Sequence, residues 1–467
     1  MARWLDSMEI RAPGYLATII CSLGAILLVA VTIAAISQTN LTSPGFIYVI
    51  ISMVAIYSIG RININGMTGV LFLFSISAIL RFIWVFTVPT QPASDFATIL
   101  NGAWHLSIGN VDFINQSSYF SAWKYQIGFL SFEAMIISLL GENIIILKSV
   151  SVFISSLTVV VIFLMTRMIF GKEAAFFGAM LLSLFPGNVV MTSVLTNQHI
   201  ATLFFIVSIW LSLTNMRAAF SAIHAGIFSA LSNIMRPLAP ITLIPIAIVI
   251  FYRVGAGKFV KYLAVSLVAF AIVIAVASHT LEAIGVHADY FLNKAPLWKV
   301  VVGLNHETGG IYTPEDVDRA RPFEPDGFDE RAMSIIWERL SDREALLRLV
   351  FRKFLYFWGA HDTAFNWASA GVANRDFQYF LGTADELFFV VVLVFASLAA
   401  TMEARNPNRS ALTTALLGFL IFYALVHLVV EVQTRYRQVS IPVICMLAGY
   451  GAHVAKSRVS SVLRRGA

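Results

Sequence analysis

Arg81-Phe82-Ile83-Trp84-Val85-Phe86-Thr87-Val88-Pro89-Thr90-Gln91-Pro92-Ala93-Ser94-Asp95-Phe96 is the stretch on which the fold turns. An apolar run closes at two prolines, and a carboxylate, Asp95, follows just beyond it, ahead of a helix-like run from Phe96 to Leu106. Ser and Asp are residue types that cap helices, so capping is one reading of Asp95. The other is chemistry at a membrane surface, and the rest of the chain decides whether there is a membrane.

The chain has 467 residues, 58% of them hydrophobic and only 12% charged, with a mean hydropathy of +0.79. That is more apolar surface than one soluble core can bury, so the sequence reads as an all-α polytopic membrane protein. The formal net charge is +6, but no basic stripe with interleaved aromatics accompanies it, which excludes nucleic acid as a partner. Cys21 and Cys445 lie in apolar segments far apart, with no metal-ligand spacing around either. Arg3 and Arg11 precede the first apolar run and no small-residue cleavage site follows, so that run reads as an uncleaved signal anchor.

Apolar runs of roughly 17–25 residues, the length that crosses about 30 Å of hydrocarbon, fall near residues 14–37, 44–60, 67–89, 143–166, 173–190 and 197–214. Further runs fall near 218–236, 238–252, 260–281, 384–402, 411–430 and 436–455. The expectation is about 12 transmembrane helices. With the N-terminus cytoplasmic, the inner turns hold Arg61, Arg167, Lys172, Arg217, Arg253, Lys258, Lys261, Arg405 and Arg409, and the basic tail from Lys456 to Arg465 is also inside. Counting Tyr125–Leu140 as a crossing would put the later basic turns outside, so it reads as an interfacial or re-entrant helix.

Two long segments, 90–142 and 282–383, are then external. The second contains a basic amphipathic run, Arg343 to Trp358, with Leu346, Leu349, Val350, Phe354 and Phe357 near one face and Arg348, Arg352 and Lys353 elsewhere. Such a helix is suited to a membrane surface. On the same face, Lys124, Arg236, Arg435 and Arg437 break the charge bias. Singly, each arginine can be a side chain reaching to lipid headgroups; jointly they are candidates for binding an anion. Arginine offers a phosphate a planar fork and lysine a compact charge. His105, His279, His287 and His306 show no metal spacing. Asn115-Gln116-Ser117 has the form of a glycosylation acceptor.

These features, in their order, resemble the glycosyltransferase C fold, and within it the bacterial relatives of dolichyl-phosphate-mannose protein mannosyltransferases and of lipid A aminoarabinose transferases. The resemblance rests on Arg81-Phe82-Ile83-Trp84 followed by Ser94-Asp95-Phe96, on Lys124-Tyr125-Gln126-Ile127-Gly128, and on Thr166-Arg167-Met168-Ile169-Phe170-Gly171. Further along it rests on Ser183-Leu184-Phe185-Pro186, Met235-Arg236-Pro237, Gly303-Leu304-Asn305, and Arg435-Tyr436-Arg437 ahead of the helix containing Pro442. It covers a glycosyltransferase C-like domain over residues 67–467; the two helices in residues 1–66 precede the family's usual first span. Where many relatives carry a second carboxylate, this chain has Thr196-Asn197-Gln198-His199, leaving Asn197 or His199 as a polar substitute.

The resemblance implies transfer of a sugar from a polyprenyl-phosphate donor to a lipid, polysaccharide or protein acceptor, with inversion. The site would lie on the external or periplasmic face of the inner (plasma) membrane. Asp95 would be the general base. Lys124, Arg236, Arg435 and Arg437 would stabilise the departing phosphate, and Asn197, His199, Asn305, His306 and Tyr436 are candidate substrate contacts. No cofactor is implied, and the lack of a dense acidic cluster gives no indication of a divalent metal. Two rivals remain: a polysaccharide polymerase or ligase acting on lipid-linked glycans, and a flippase or transporter of lipid-linked sugars, whose marks are inverted repeats and charges near the bilayer midplane. Arg81, well inside the third run, is the residue that fits the transporter.

Overall fold

The computed structural model describes residues 10–60, 66–214, 216–324, 326–359, 361–369 and 375–465. Arg3 and Arg61 lie outside the described residues, as do the side chains of Arg464 and Arg465. Among the described residues the regular structure is all helix, with one isolated antiparallel bridge between Arg11 and Ser410. Every apolar run named above forms helix. Among the described residues eight helices are long and apolar enough to cross a membrane: Tyr15–Gln38, Ser43–Gly60, Gly66–Thr87, Ile144–Ser183, Ala218–Met235, Ala256–Ala283, Asp376–Arg405 and Ala411–Val429. The chain is a multi-pass membrane protein.

The other expected crossings differ in form. Gln198–Leu213 and Ala239–Val254 have 16 residues each, about 24 Å at 1.5 Å per residue, short of the roughly 30 Å hydrocarbon core. The runs expected at 143–166 and 173–190 are the two helical parts of Ile144–Ser183, separated at Gly171, whose φ 80 and ψ 177 are not helical. Glycine takes that left-handed φ without the clash a Cβ would bring. The second run then stops at Ser183, and Pro186 starts the separate short helix Pro186–Val190. Proline suits a first helical turn, where its missing N–H costs nothing.

The two N-terminal helices are packed into the same bundle as the rest. Tyr15–Gln38 lies against Arg375–Arg405, Ala411–Val429 and Arg343–Gly359, and Ser43–Gly60 lies against Arg375–Arg405 and Ile144–Ser183. Small residues set the approach of the C-terminal helix Ile441–Arg465 to Ile144–Ser183: a Cβ added at Gly449 would sit 2.3 Å from the Ala174 carbonyl oxygen. Close backbone contact through small residues is how apolar helices associate where lipid offers no hydrophobic driving force.

Arg81 is fully buried and is held on every side. Its Nε donates to Ser155 Oγ at 2.9 Å, one terminal nitrogen to Ser77 Oγ at 2.7 Å, and the other to Asn188 Oδ1 at 2.6 Å. It also reaches the carbonyls of Leu182 and Ser183, at the end of Ile144–Ser183. Those carbonyls lie in the last turn of the helix, past the reach of its regular i to i+4 bonding, so Arg81 braces a helix terminus inside the bundle.

The long segments meet at one end of the bundle. Asn115 Nδ2 donates to the Gly285 carbonyl at 2.8 Å, and the Val432 amide to the Gly310 carbonyl at 3.0 Å. At the opposite end the Ala12 amide bonds the Arg409 carbonyl at 2.8 Å, and Lys456 pairs with Glu173 at 3.0 Å. Tyr125–Leu140 appears as the 15-residue helix Gln126–Leu140. The amphipathic run forms Arg343–Gly359, with one correction. Lys353, expected on its polar face, is fully buried and donates to the carbonyls of Gly303 at 2.7 Å and Val430 at 2.8 Å. Those loop carbonyls need a donor, and the long lysine stem reaches them through apolar packing.

Candidate functional site

A cavity of about 590 Å³ opens where the two long segments meet the helix ends. Asp95 lines it from the first position of Asp95–Ser107. The residue before it, Ser94, has φ 53 and makes no side-chain cap. A serine in the left-handed region is strained, and such strain persists only where surrounding structure imposes it. Asp95 itself is exposed, and the Tyr119 phenol is its neighbour. Burial raises the Tyr119 pKa, and the charge of Asp95 and the nearby Tyr125 raise it further, so Tyr119 keeps its proton beside the carboxylate.

Arg236 enters from a helix end that proline dictates. Ala218–Met235 stops ahead of Pro237, and Arg236 is extended at φ −151, ψ 136, as a residue before proline prefers. One guanidinium nitrogen donates to Asn197 Oδ1 at 3.0 Å, and the group lies 4.9 Å from the centre of the Tyr436 ring. Arg435 comes from the 3-10 turn Thr434–Val439. Its Nε donates to Gln433 Oε1 at 2.6 Å. Its guanidinium lies 4.8 Å from the ring of Trp367, 5.0 Å from Phe96 and 5.8 Å from Tyr436. The Tyr436 ring is thus shared by both cations. Among the described residues each of the two has a single nitrogen in a hydrogen bond to a side chain, so each presents further donors to the cavity.

The cavity wall also holds a pair that the sequence reading did not select. Lys299 pairs with the buried Glu431, whose other oxygen accepts from Gln433 Nε2 at 2.7 Å. Burial works to raise the Glu431 pKa, but the Lys299 charge and the bonds from Lys299 and Gln433 outweigh it and hold the carboxyl below its ordinary value. Lys299, Glu431, Gln433 and Arg435 therefore form one hydrogen-bonded chain that fixes the Arg435 fork. The signal available in sequence was an acid, Glu431, two residues ahead of Gln433-Thr434-Arg435, at a span end already marked by cations.

Of the residues named from sequence, Asp95, Asn197, Arg236, Arg435 and Tyr436 share this cavity. The other five do not line it. Lys124, expected at the phosphate, donates to the His287 carbonyl at 2.5 Å and pairs with Asp289 at 3.2 Å, tying one long segment to the other. Arg437, on the far side of the turn from Arg435, is buried, with Asp362 at 3.6 Å and the Trp358 carbonyl at 3.2 Å. Asn305 donates to Asp316 at 3.0 Å and accepts the Glu307 amide at 3.1 Å, which makes it a loop brace. His306 has an Nε2 buried without a partner among the described residues. His199 lies behind the cavity, beside Glu133 and Thr196 at a space of about 10 Å³, room for one water molecule. Among the described residues no group of three or more His, Cys, Asp or Glu is placed to hold a metal ion.

Neither a protein-family model nor a curated protein matches the chain. Among solved structures it is similar to the archaeal oligosaccharyltransferase AglB from Archaeoglobus fulgidus in complex with an inhibitory peptide and a dolichol-phosphate, at 13% identity and a TM-score of 0.47. The match covers 86% of this chain and 52% of that one, so the chain spans about half the length of that protein.

Proposed function

We propose that the protein is a glycosyltransferase that moves a sugar from a polyprenyl-phosphate donor to an acceptor hydroxyl, with inversion, on the external face of the membrane. The observation that carries this reading is the pair Arg236 and Arg435, both set against the Tyr436 ring in the cavity that Asp95 lines. Two forked cations with open donors suit the oxygens of one phosphate. A carboxylate across the cavity suits the proton of an attacking hydroxyl.

In the proposed step Asp95 accepts that proton as the acceptor oxygen bonds the anomeric carbon. The bond from that carbon to the phosphate oxygen breaks, and the polyprenyl phosphate leaves with the electron pair. Arg236 and Arg435 meet the negative charge that grows on it. Leu238, Ile241 and Val426 give the cavity an aliphatic stretch that suits the first units of the polyprenyl chain. External placement rests on the basic turns gathered at the opposite end of the bundle.

The transporter reading loses its main residue, because Arg81 is saturated by fixed hydrogen bonds. The test is transfer by purified protein in lipid nanodiscs from a panel of polyprenyl-phosphate sugars. Asp95→Asn is expected to lower turnover by about 10²–10⁴ while donor affinity stays unchanged. Full turnover in a folded, donor-binding variant would remove Asp95 as the base.

A further inference from the structure

The cavity has a second wall of different chemistry, made wholly by the long segments: Trp123, Trp298, Tyr312 and Phe323. Two of these rings are core. Trp123 is 8% exposed and Trp298 4%, whereas Tyr312 is 51% and Phe323 41% exposed. Each open ring is set on a buried tryptophan. Phe323 meets Trp123 edge-on, with centres 6.1 Å apart at 77°, and Tyr312 meets Trp298 at 6.4 Å and 72°. Edge-to-face contact fixes the attitude of a ring.

The backbone beneath them is also fixed. The turn carrying Phe323 is laced by the Arg331 guanidinium, which donates to the carbonyls of Ala320 at 3.2 Å, Glu324 at 2.8 Å and Asp326 at 2.9 Å. The buried pair Arg339–Asp316, at 2.5 Å, locks the helices on either side of that turn, and Arg339 also donates to the Val301 carbonyl beside Trp298. Arg321, just before the turn, is held in the left-handed region at φ 47, a conformation that costs a non-glycine residue. This much restraint on a half-exposed phenylalanine points to a ligand for its face.

Polar groups without partners border the same space. Gln126 is 6% exposed and Gln198 3%. Both line the cavity, and the Oε1 atom of each has no hydrogen-bond partner among the described residues. A buried acceptor left unmet is costly. Gln126 is linked through its Nε2 to the Tyr119 phenol, the neighbour of Asp95.

We infer that this wall is the acceptor subsite and that the acceptor is a carbohydrate. The inference rests on the transferase reading above and specifies its second substrate. A pyranose presents an apolar C–H face to an aromatic plate, and its hydroxyls supply donors to amide oxygens. Open rings on rigid supports meet the first demand, and the unpartnered amides of Gln126 and Gln198 belong to residues of the same cavity. An acyl chain has no use for the amide oxygens. A peptide held by main-chain pairing needs a strand edge, and no strand is found among the described residues; a peptide docked on the rings alone is the outcome that the peptide competition below detects.

The test is saturation-transfer NMR on the full chain in nanodiscs with maltotriose, chitotriose and xylotriose, competed by a hexaserine peptide and by a lysophospholipid. At least one trisaccharide is expected to receive saturation on its ring C–H protons. Phe323→Ala and Tyr312→Ala should each weaken it about 3- to 10-fold. Phe323→Trp should restore it, and Phe323→Leu, which keeps apolar bulk without a ring, should not. No transfer to any sugar, an unchanged signal in both alanine variants, or displacement by the peptide or lipid alone overturns the proposal. Undecaprenyl phosphate affinity, measured on the same samples, is expected to be unchanged. If wild type binds that lipid but no sugar, the acceptor assignment alone has failed; if it does not bind the lipid, the donor reading fails and takes the acceptor role with it.

Discussion

Replacing Arg435 tests the phosphate site most directly, because its fork is prepositioned before any ligand arrives. Its Nε is committed to Gln433, and three rings hold the plane of the guanidinium; a cation over an aromatic face contributes about 0.5–1 kcal/mol at exposed sites. Those contacts belong to the free protein, so their loss in Arg435→Ala registers as stability. The remaining donors are what a phosphate would use. A hydrogen bond to a charged group contributes about 1.5–3 kcal/mol, which converts to a donor affinity lower by about 10- to 150-fold. Arg435→Lys retains the charge without the fork and is expected to fall between wild type and alanine. The assay is binding of undecaprenyl phosphate to protein in nanodiscs, beside undecaprenol, which has the same chain and no phosphate. Only the phosphate-bearing lipid should weaken. If Arg435→Ala binds undecaprenyl phosphate within about twofold of wild type, or if both lipids weaken equally, the phosphate assignment for Arg435 is refuted.

Two further predictions concern the platform around the cavity. Arg339→Ala leaves the buried Asp316 carboxylate unpaired, which is expected to cost about 3–5 kcal/mol and to appear as a lower melting temperature and easier proteolysis within residues 298–341. Burial pushes the Lys353 ammonium down from 10.5 to about 7, with Glu431 working to raise it. Between those values the unfolded chain holds a proton that the folded chain has released, so the Lys353 contribution is complete above pH 10.5 and is lost as pH falls through about 7. Melting temperature measured from pH 7 to pH 10 should therefore rise more steeply in wild type than in Lys353→Met, and equal slopes would show that Lys353 does not titrate this way.

Helix positions were legible because each apolar run is a local property, readable without knowing its neighbours. The turn between the runs 143–166 and 173–190 was legible in Arg167 and Lys172 and falls at Gly171, with φ 80; the stop of the second run at Ser183, ahead of Pro186, was not. The site divides in the same way. Asp95 stood out as a carboxylate just past a span, and Arg236 and Arg435 as cations at span ends against the local bias. Lys124 and Arg437 gave the same signal but find Asp289 and Asp362 across the fold; sequence registers a charge, not its partner. Lys299 and Glu431 were hidden for the converse reason. They neutralise one another, and Lys299 lies inside a long segment, where counting basic residues carries little topological weight.

Arg435-Tyr436-Arg437 shows how one local geometry assigns opposite roles to like residues. A 3-10 helix advances roughly 120° per residue, so residues two apart cannot face the same way. Arg437 turns inward, to Asp362 and the Trp358 carbonyl, and anchors the turn to the bundle. Arg435 turns toward the cavity and shares the Tyr436 ring with Arg236. The anchoring arginine is satisfied because its partners are fixed in the core; the cavity arginine keeps unspent donors because its neighbours are mostly ring faces. A cation backed by rings costs little to hold in place and still lacks an anion, the condition in which a phosphate arriving on a lipid gains most from binding.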